Sequence, residues 1–337
     1  MARKENDKTY AYASARIRAL ENKMLDSSRI DRMIESESAN EALKVLSEAA
    51  YGYSSNDIRD AHGYEVLLKE ELKKVYDLLK HIAPEPQVFD LFLQRNDYHN
   101  IKVLLKAEFL GEENDGLLIE AGTIPNGKLK VMISERNMGE MPVEMKIAIE
   151  ECLDVYQRTQ DPQMIDVLLD KASYKQMRQK AKSAKIDFII KLIEIMIDLE
   201  NIKTFLRVKR LNKAWDFLSK VLLPGGSIKE QFYIERLEGT LESFIEDIQK
   251  TPYSVIAEEG IMAYKDTGSL TKLEKRSDDF IMAYIKKSRY TFLGIEPLVS
   301  YLLAKENEIK IARIVMVGKI NRIAKETIRE RLRDVYV

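Results

Sequence analysis

The sequence is short of the residues that break helices, cross-link chains and bind metals. Its single cysteine, Cys152, permits no internal disulfide and fits a reducing compartment. Only three histidines occur, His62, His81 and His99, and none has His-x-x-x-His or Cys/His spacing. No histidine-based metal site is therefore expected. Just 14 Gly and 8 Pro are spread over 337 residues, which leaves few interruptions and favours long helices. An excess of one charge is missing as well. Lys and Arg number 54 against 55 Asp and Glu, a net charge of −1, and nucleic-acid binding needs a basic surplus to displace counterions. The opening Met1–Lys8 is charged and lacks the apolar stretch of a signal peptide, so the chain reads as cytosolic.

Long apolar runs are absent too. The densest, Ile186–Leu199, carries Asp187, Lys191, Glu194 and Asp198 at steps of four, three and four residues. Those steps draw one polar stripe along a helix, whereas a membrane span needs about 20 apolar residues with few charges. This predicts a helix buried on most sides within protein, with one wet or paired edge.

The signatures of catalysis are missing. Pro224-Gly225-Gly226-Ser227 has no lysine in the phosphate-loop pattern and no preceding strand, so it reads as a loop between helices. No nucleophile elbow or dinucleotide fingerprint occurs. The acidic pairs Glu112-Glu113, Glu150-Glu151, Glu258-Glu259 and Asp278-Asp279 invite a magnesium reading. Adjacent helical residues diverge by about 100°, so such pairs converge on one ion only with help from elsewhere. A stand-alone helical enzyme acting on a diphosphate is the alternative they leave; solvated faces are the better reading. No catalytic residue, metal or cofactor is expected. Basic runs occur at 171–185, 207–213 and 322–333; the first leaves nucleic acid or anionic lipid as an alternative, and solvated faces or contacts to an acidic protein are the better reading.

What is present is helical periodicity almost everywhere, with no sustained period-two alternation. Tyr12, Ile17, Leu20 and Met24 share one face, and Leu43, Leu46 and Ala50 continue the pattern. Ser38–Glu41, Ser227–Glu230 and Thr271–Glu274 read as capping boxes, and Asp161-Pro162 as an N-cap followed by proline at the first helical position. The fold class is all-α.

Internal repetition says more. Asp97-Tyr98-His99-Asn100-Ile101-Lys102, ending at Lys106, matches Asp198-Leu199-Glu200-Asn201-Ile202-Lys203, ending at Arg207. A third copy, Lys305-Glu306-Asn307-Glu308-Ile309-Lys310, runs on to Arg313. From Asn100 to Asn201 is 101 residues, and from Asn201 to Glu308 is 107. A second marker agrees: Gly122-Thr123-Ile124 and Gly226-Ser227-Ile228 lie 104 residues apart. Three similar helical-bundle units follow, 1–121, 122–225 and 226–337, packed about a pseudo-threefold axis or in a line. Segment 111–142 is the loosest and reads as a linker with short helices. Ile101, Ile202 and Ile309 are expected in the core. Their polar neighbours Asn100, Lys102, Lys106, Asn201, Lys203, Arg207, Glu308, Lys310 and Arg313 either pair within each bundle or line a surface that grips a partner.

Taken in order, Tyr10–Glu21, Leu25, Leu46–Gly52, the three repeat segments and the ending Arg329–Val337 resemble the C subunits of V-type and A-type ATPases. That family corresponds to the d subunit of the eukaryotic enzyme, and the resemblance spans essentially the whole chain. It implies a funnel of three similar helical domains without catalytic residues, a socket in the rotor. Central-stalk subunits of the D and F type would enter its mouth. Its base would sit on the proteolipid ring at the cytoplasmic face of the membrane, as a peripheral protein in indirect contact with lipid. ATP hydrolysis or synthesis would thereby be coupled to proton or sodium transport. The third copy departs from the pattern, with Glu308 in place of asparagine and Arg313 one place out of register.

Overall fold

The computed structural model describes residues 9–49, 60–112 and 115–337. Expectations placed on Met1–Lys8, on Ala50, Tyr51 and Gly52, and on Glu113 fall outside the described residues. Helix follows helix along the chain, and no strand occurs among the described residues, as the periodicity requires. The first group is α1 (Ala11–Glu21), α2 (Ser27–Glu35), α3 (Ala39–Glu48) and α4 (Tyr64–Ile82). Next come α5 (Asp90–Leu110), α6 (Asn126–Ser134), α7 (Val143–Thr159), α8 (Gln163–Ala184) and α9 (Asp187–Arg210). Three short helices follow, α10 (Trp215–Val221), α11 (Glu230–Glu235) and α12 (Leu241–Ile248). The last group is α13 (Ser254–Thr267), α14 (Thr271–Lys286), α15 (Glu296–Ile320) and α16 (Lys325–Arg331).

These helices make two compact units. One joins both ends of the chain, Met1–Pro86 with Thr251–Val337, and the other is Gln87–Lys250. In the first, α15 is buried on most sides, with Leu298, Val299, Leu302, Ile309, Val315 and Met316 inside. Helices α1, α2, α3, α4, α14 and α16 pack on it. Ile30, Met33 and Ile34 of α2 and Leu43 and Leu46 of α3 join its core. Each such side chain removed from water contributes about 1.5–3 kcal/mol before entropy is counted.

In the second unit α5, α7 and α9 pack against α8. Ile101, Leu105, Ile133, Met145, Ile149, Cys152 and Leu169 form one core. Beside it Phe205 stacks on Phe244, with ring centroids 4.3 Å apart. Segment 111–142 holds a 3-10 turn, Asp115–Leu117, and α6, the short helices foreseen for it.

The polar stripe of Ile186–Leu199 divides. Lys191 is exposed and pairs with Glu194 at 3.3 Å, whereas Asp198 is fully buried. Among the described residues no helix is long and apolar enough to cross a membrane.

Helix starts follow the sequence in part. Ser38 accepts from Glu41 N at 3.2 Å, and the Glu41 carboxylate accepts from Glu37 N at 2.8 Å. Asp161 accepts from Gln163 N at 2.9 Å, but α8 begins at Gln163, which makes Pro162 the cap and not the first helical residue. Thr271 lies inside α14, its N–H taken by Ser269 Oγ. Ser227 caps nothing, because a buried carboxylate in the preceding long helix claims it.

Candidate functional site

The three repeat segments sit on three long, deeply buried helices, α5, α9 and α15, and each grips a segment of chain. On α9, Asn201 Nδ2 donates to Leu223 O at 2.9 Å while its Oδ1 accepts from Leu223 N at 2.8 Å. On α5, Asn100 makes the same exchange with Ile119, both bonds being 2.8 Å. An amide side chain can satisfy a backbone N–H and C=O of a single residue at once, which explains asparagine at both positions. Both asparagines are fully buried, so a lost partner would leave polar backbone unsatisfied.

One turn earlier on each helix, a buried aspartate holds the next stretch of the same loop. Asp97 accepts from Thr123 N at 2.9 Å, Thr123 Oγ1 at 2.5 Å and Ile124 N at 3.1 Å. Asp198 accepts from Ser227 N at 3.0 Å, Ser227 Oγ at 2.6 Å and Ile228 N at 3.0 Å. Burial pushes the Asp97 carboxyl above its ordinary pKa, against the pull of the Thr123 and Ile124 donors. The glycines of the second marker now have a reason. A Cβ on Gly122 would lie 2.2 Å from Asp97 Oδ1, and one on Gly226 would lie 2.1 Å from Asp198 Oδ1. The two sequence markers are therefore the halves of one clasp, helix side and loop side.

The third copy keeps the place and changes the chemistry. Glu308 on α15 accepts from Leu25 N at 2.6 Å. Leu25 stands three residues before Ser28, as Ile119 and Leu223 stand three before Gly122 and Gly226. The loop held by the third helix is thus the one near the start of the chain. Lys305 replaces the aspartate, and its Nζ binds Glu308 at 2.7 Å and Glu71 at 3.0 Å, all three side chains being buried. Burial opposes the Lys305 charge, but Glu308 and Glu71 outweigh it and hold the ammonium above its usual pKa. With no carboxylate at position 305, Ser28 needs no glycine.

The cations flanking the clasps have internal partners. Lys102 binds Asp170 and Lys106 binds Asp166, both acids lying on α8. Lys203 binds Glu200, which also faces Arg207 at 3.6 Å. Asp166, Asp170, Glu200 and Arg207 line one cleft of about 480 Å³ in the second unit. Of the sequence-selected cations Arg207 lines this cleft, and Lys102, Lys106 and Lys203 each bind one of its acids. Lys310 binds Asp278, and Arg313 binds Glu65 at 2.6 Å, in the first unit. Of the nine residues singled out from the sequence, Asn100, Asn201 and Glu308 hold loops and the six cations form ion pairs. Asp97, Asp198, Lys305 and the two glycines were in view as repeat positions but not chosen. The near-equal spacing of the two markers was the signal that they touch.

Other sequence candidates are similarly engaged. Asp278 takes Arg333 as well as Lys310, whereas its neighbour Asp279 turns away to accept from Asp334 N at 2.7 Å. Glu259 pairs with Arg276 at 2.6 Å. Among the described residues no group of three or more His, Cys, Asp or Glu could hold a metal ion. His99 Nε2 donates to Leu117 O at 3.1 Å. Basic runs also serve the fold: Lys209 donates to Leu237 O and Gly239 O, and Lys325 and Arg329 bind Glu35.

The pattern of the family described as ATP synthase (C/AC39) subunit matches residues 13–331. The C subunit of the V-type sodium ATPase of Enterococcus hirae is 28% identical over 320 residues, covering 95% of this chain and 97% of that protein. The C subunit of the A-type ATP synthase of Methanocaldococcus jannaschii is 29% identical over 343 residues, covering 96% and 86%. That of Thermococcus gammatolerans is 27% identical over 339 residues, covering 96% and 90%. A match of this extent, running through all three clasps, means that the chain belongs to the ATP synthase (C/AC39) subunit family.

Proposed function

We propose that the chain is a non-catalytic rotor adaptor of a V/A-type ATPase. It joins central-stalk subunits of the D and F type to the proteolipid ring, at the cytoplasmic face of the membrane. Torque passing through it couples ATP hydrolysis or synthesis to proton or sodium transport. The observation that carries this reading is the family match over residues 13–331, with relatives named as subunits of both sodium ATPases and ATP synthases.

The clasps support it physically. A part that transmits torque must not let its helices slide against their connections, and each clasp ties a long helix to a loop by buried polar bonds. The division into units 1–121, 122–225 and 226–337 belongs to the same proposal. Partner contact falls to the cations beside the clasps, Lys102, Lys106, Lys203, Arg207, Lys310 and Arg313. Pairs with half-exposed members contribute only about 0–1 kcal/mol, so a partner's carboxylates can replace the internal ones at little cost. Asn100, Asn201 and Glu308 shape that surface from beneath.

Purification of the tagged chain from native membranes tests the proposal. Stalk and proteolipid subunits are expected to co-elute in fixed ratio, and a chain recovered without either would refute it.

A further inference from the structure

Between α14 and α15 the chain makes a short turn at residues 290–294. Tyr290 is 86% exposed and Phe292 84%, the highest values for large apolar side chains among the described residues, and Leu293 beside them is 38% exposed. Two aromatic rings left in water are an unfavourable arrangement that a binding partner would relieve.

The turn is braced from behind. Arg18 Nη2 donates to Ser288 O at 2.8 Å, Arg289 O at 3.2 Å and Thr291 O at 3.0 Å. Its Nη1 is held by Glu21 at 2.8 Å, and Glu21 accepts in turn from Tyr336 at 3.2 Å. Gly294 closes the turn at φ +131°, where a Cβ would meet Glu296 Oε2 at 2.3 Å. The rings are thus held outward on a fixed base.

Cations lead into the rings: Lys287 and Arg289 precede them, and the acid of the turn, Glu296, lies behind it against Gly294. Lys287 and Arg289 are exposed. The Arg289 guanidinium lies 5.7 Å from the Tyr336 ring and Lys287 Nζ lies 5.8 Å from the Tyr284 ring, contacts that orient both cations without neutralising them. A five-residue turn offers far less than the roughly 800 Å² per partner of a stable protein interface. It suits an interfacial anchor, in which a few rings enter the headgroup boundary and nearby cations meet phosphates.

We propose that residues 287–293 are a direct anchor to an anionic lipid surface. Tyr290, Phe292 and Leu293 enter the headgroup–acyl boundary, and the exposed Lys287 and Arg289 contact lipid phosphates. The anchor adds to any contact made through other subunits. Because it is read on the isolated chain, its failure would leave the adaptor reading untouched.

The test is sedimentation of the full chain with vesicles of phosphatidylcholine, alone or mixed with phosphatidylglycerol. Binding to the mixed vesicles is expected, weakening with salt. Lys287→Gln should lower vesicle affinity about fivefold, and Phe292→Ser about tenfold. Both side chains are exposed, so thermal melts of these variants should match the parent. Insertion is read separately with F292W in a W215F background, since Trp215 is the sole tryptophan. Its emission should shift to the blue and be quenched by brominated acyl chains. Absence of binding to mixed vesicles, unchanged binding of Phe292→Ser, or unshifted emission would overturn the proposal. So would loss of proteolipid capture in lipid-free detergent by Phe292→Ser with vesicle binding intact, which would make the turn a protein contact.

Discussion

Glu308 accepts a hydrogen bond from the backbone N–H of Leu25, 283 residues away in sequence. It occupies the place in the third repeat that Asn201 occupies against Leu223 and Asn100 against Ile119. The first two copies bind a loop residue 19 and 22 positions after their asparagine. The third binds the equivalent loop near the start of the chain. That accounts for a compact unit assembled from both termini.

Replacing Asn201 with alanine strips partners from the N–H and C=O of Leu223, both at buried positions. Each unsatisfied group costs about 1–3 kcal/mol, so a loss of about 2–6 kcal/mol is expected in urea denaturation. A variant within about 0.5 kcal/mol of the parent, the range of an ordinary surface change, would show that the exchange carries no weight.

The glycines give a sharper test because the threat is one atom. Gly226→Ala drives a Cβ toward Asp198 Oδ1 and is expected to cost about 1–3 kcal/mol. Combined with Asp198→Ala, its cost should shrink, which a double-mutant cycle would read as coupling. Ser28→Ala, at the matching exposed position in the first turn of α2, should be neutral within about 0.5 kcal/mol.

Lys305→Met leaves Glu71 and Glu308 buried around a missing cation. Removing one partner of such a set typically costs about 3–5 kcal/mol. The segment ending at Leu25 should then become cleavable in limited proteolysis, before the Gln87–Lys250 unit is attacked. Equal protection of both regions would argue against the charged clasp as the fastening.

Glu35 links α2 to α16. Hydrogen bonds from Lys325 and then Arg329 hold its carboxyl at about 2, below the ordinary 4.5. A folded pKa below the unfolded one means that the contact stabilises above pH 4.5 and is lost as pH falls toward 2. Both sides of the pair are well exposed, so the effect on overall stability should be small. Carboxyl NMR should place the Glu35 midpoint near 2, moving upward in Lys325→Gln.

Burial, and after it Glu151 and Asp166, push the Cys152 thiol up to about 12. The thiolate is the reactive form, so iodoacetamide at about pH 8 should leave the native chain unmodified and label it once unfolded. Rapid labelling in the native state, seen by mass spectrometry, would contradict the packing of α7 in its core.

How much of this was legible depends on how local the cause is. Helix type was, because the spacing of Ile101, Ile202 and Ile309 among polar neighbours marks an inward face from one turn to the next, and all three are buried. The repeats were visible for the same reason. The burial of Asn100 beside the ion-paired Lys102 was not, since two residues two places apart on a helix carry no label saying which looks inward. Ser227 shows the competition plainly. Its sequence fits a capping box, but the Asp198 carboxylate offers two bonds and wins.

The sequence by itself determined an all-α chain, three copies of a helical segment and a recurring loop, because short-range periodicity and turn chemistry are written in neighbouring residues. Only the tertiary structure decided that helix marker and loop marker touch, that Asp97 and Asp198 need Gly122 and Gly226, and that Glu308 reaches back to Leu25. Those contacts join residues from 25 to 283 positions apart, and their partners become neighbours only when the apolar faces between them are buried.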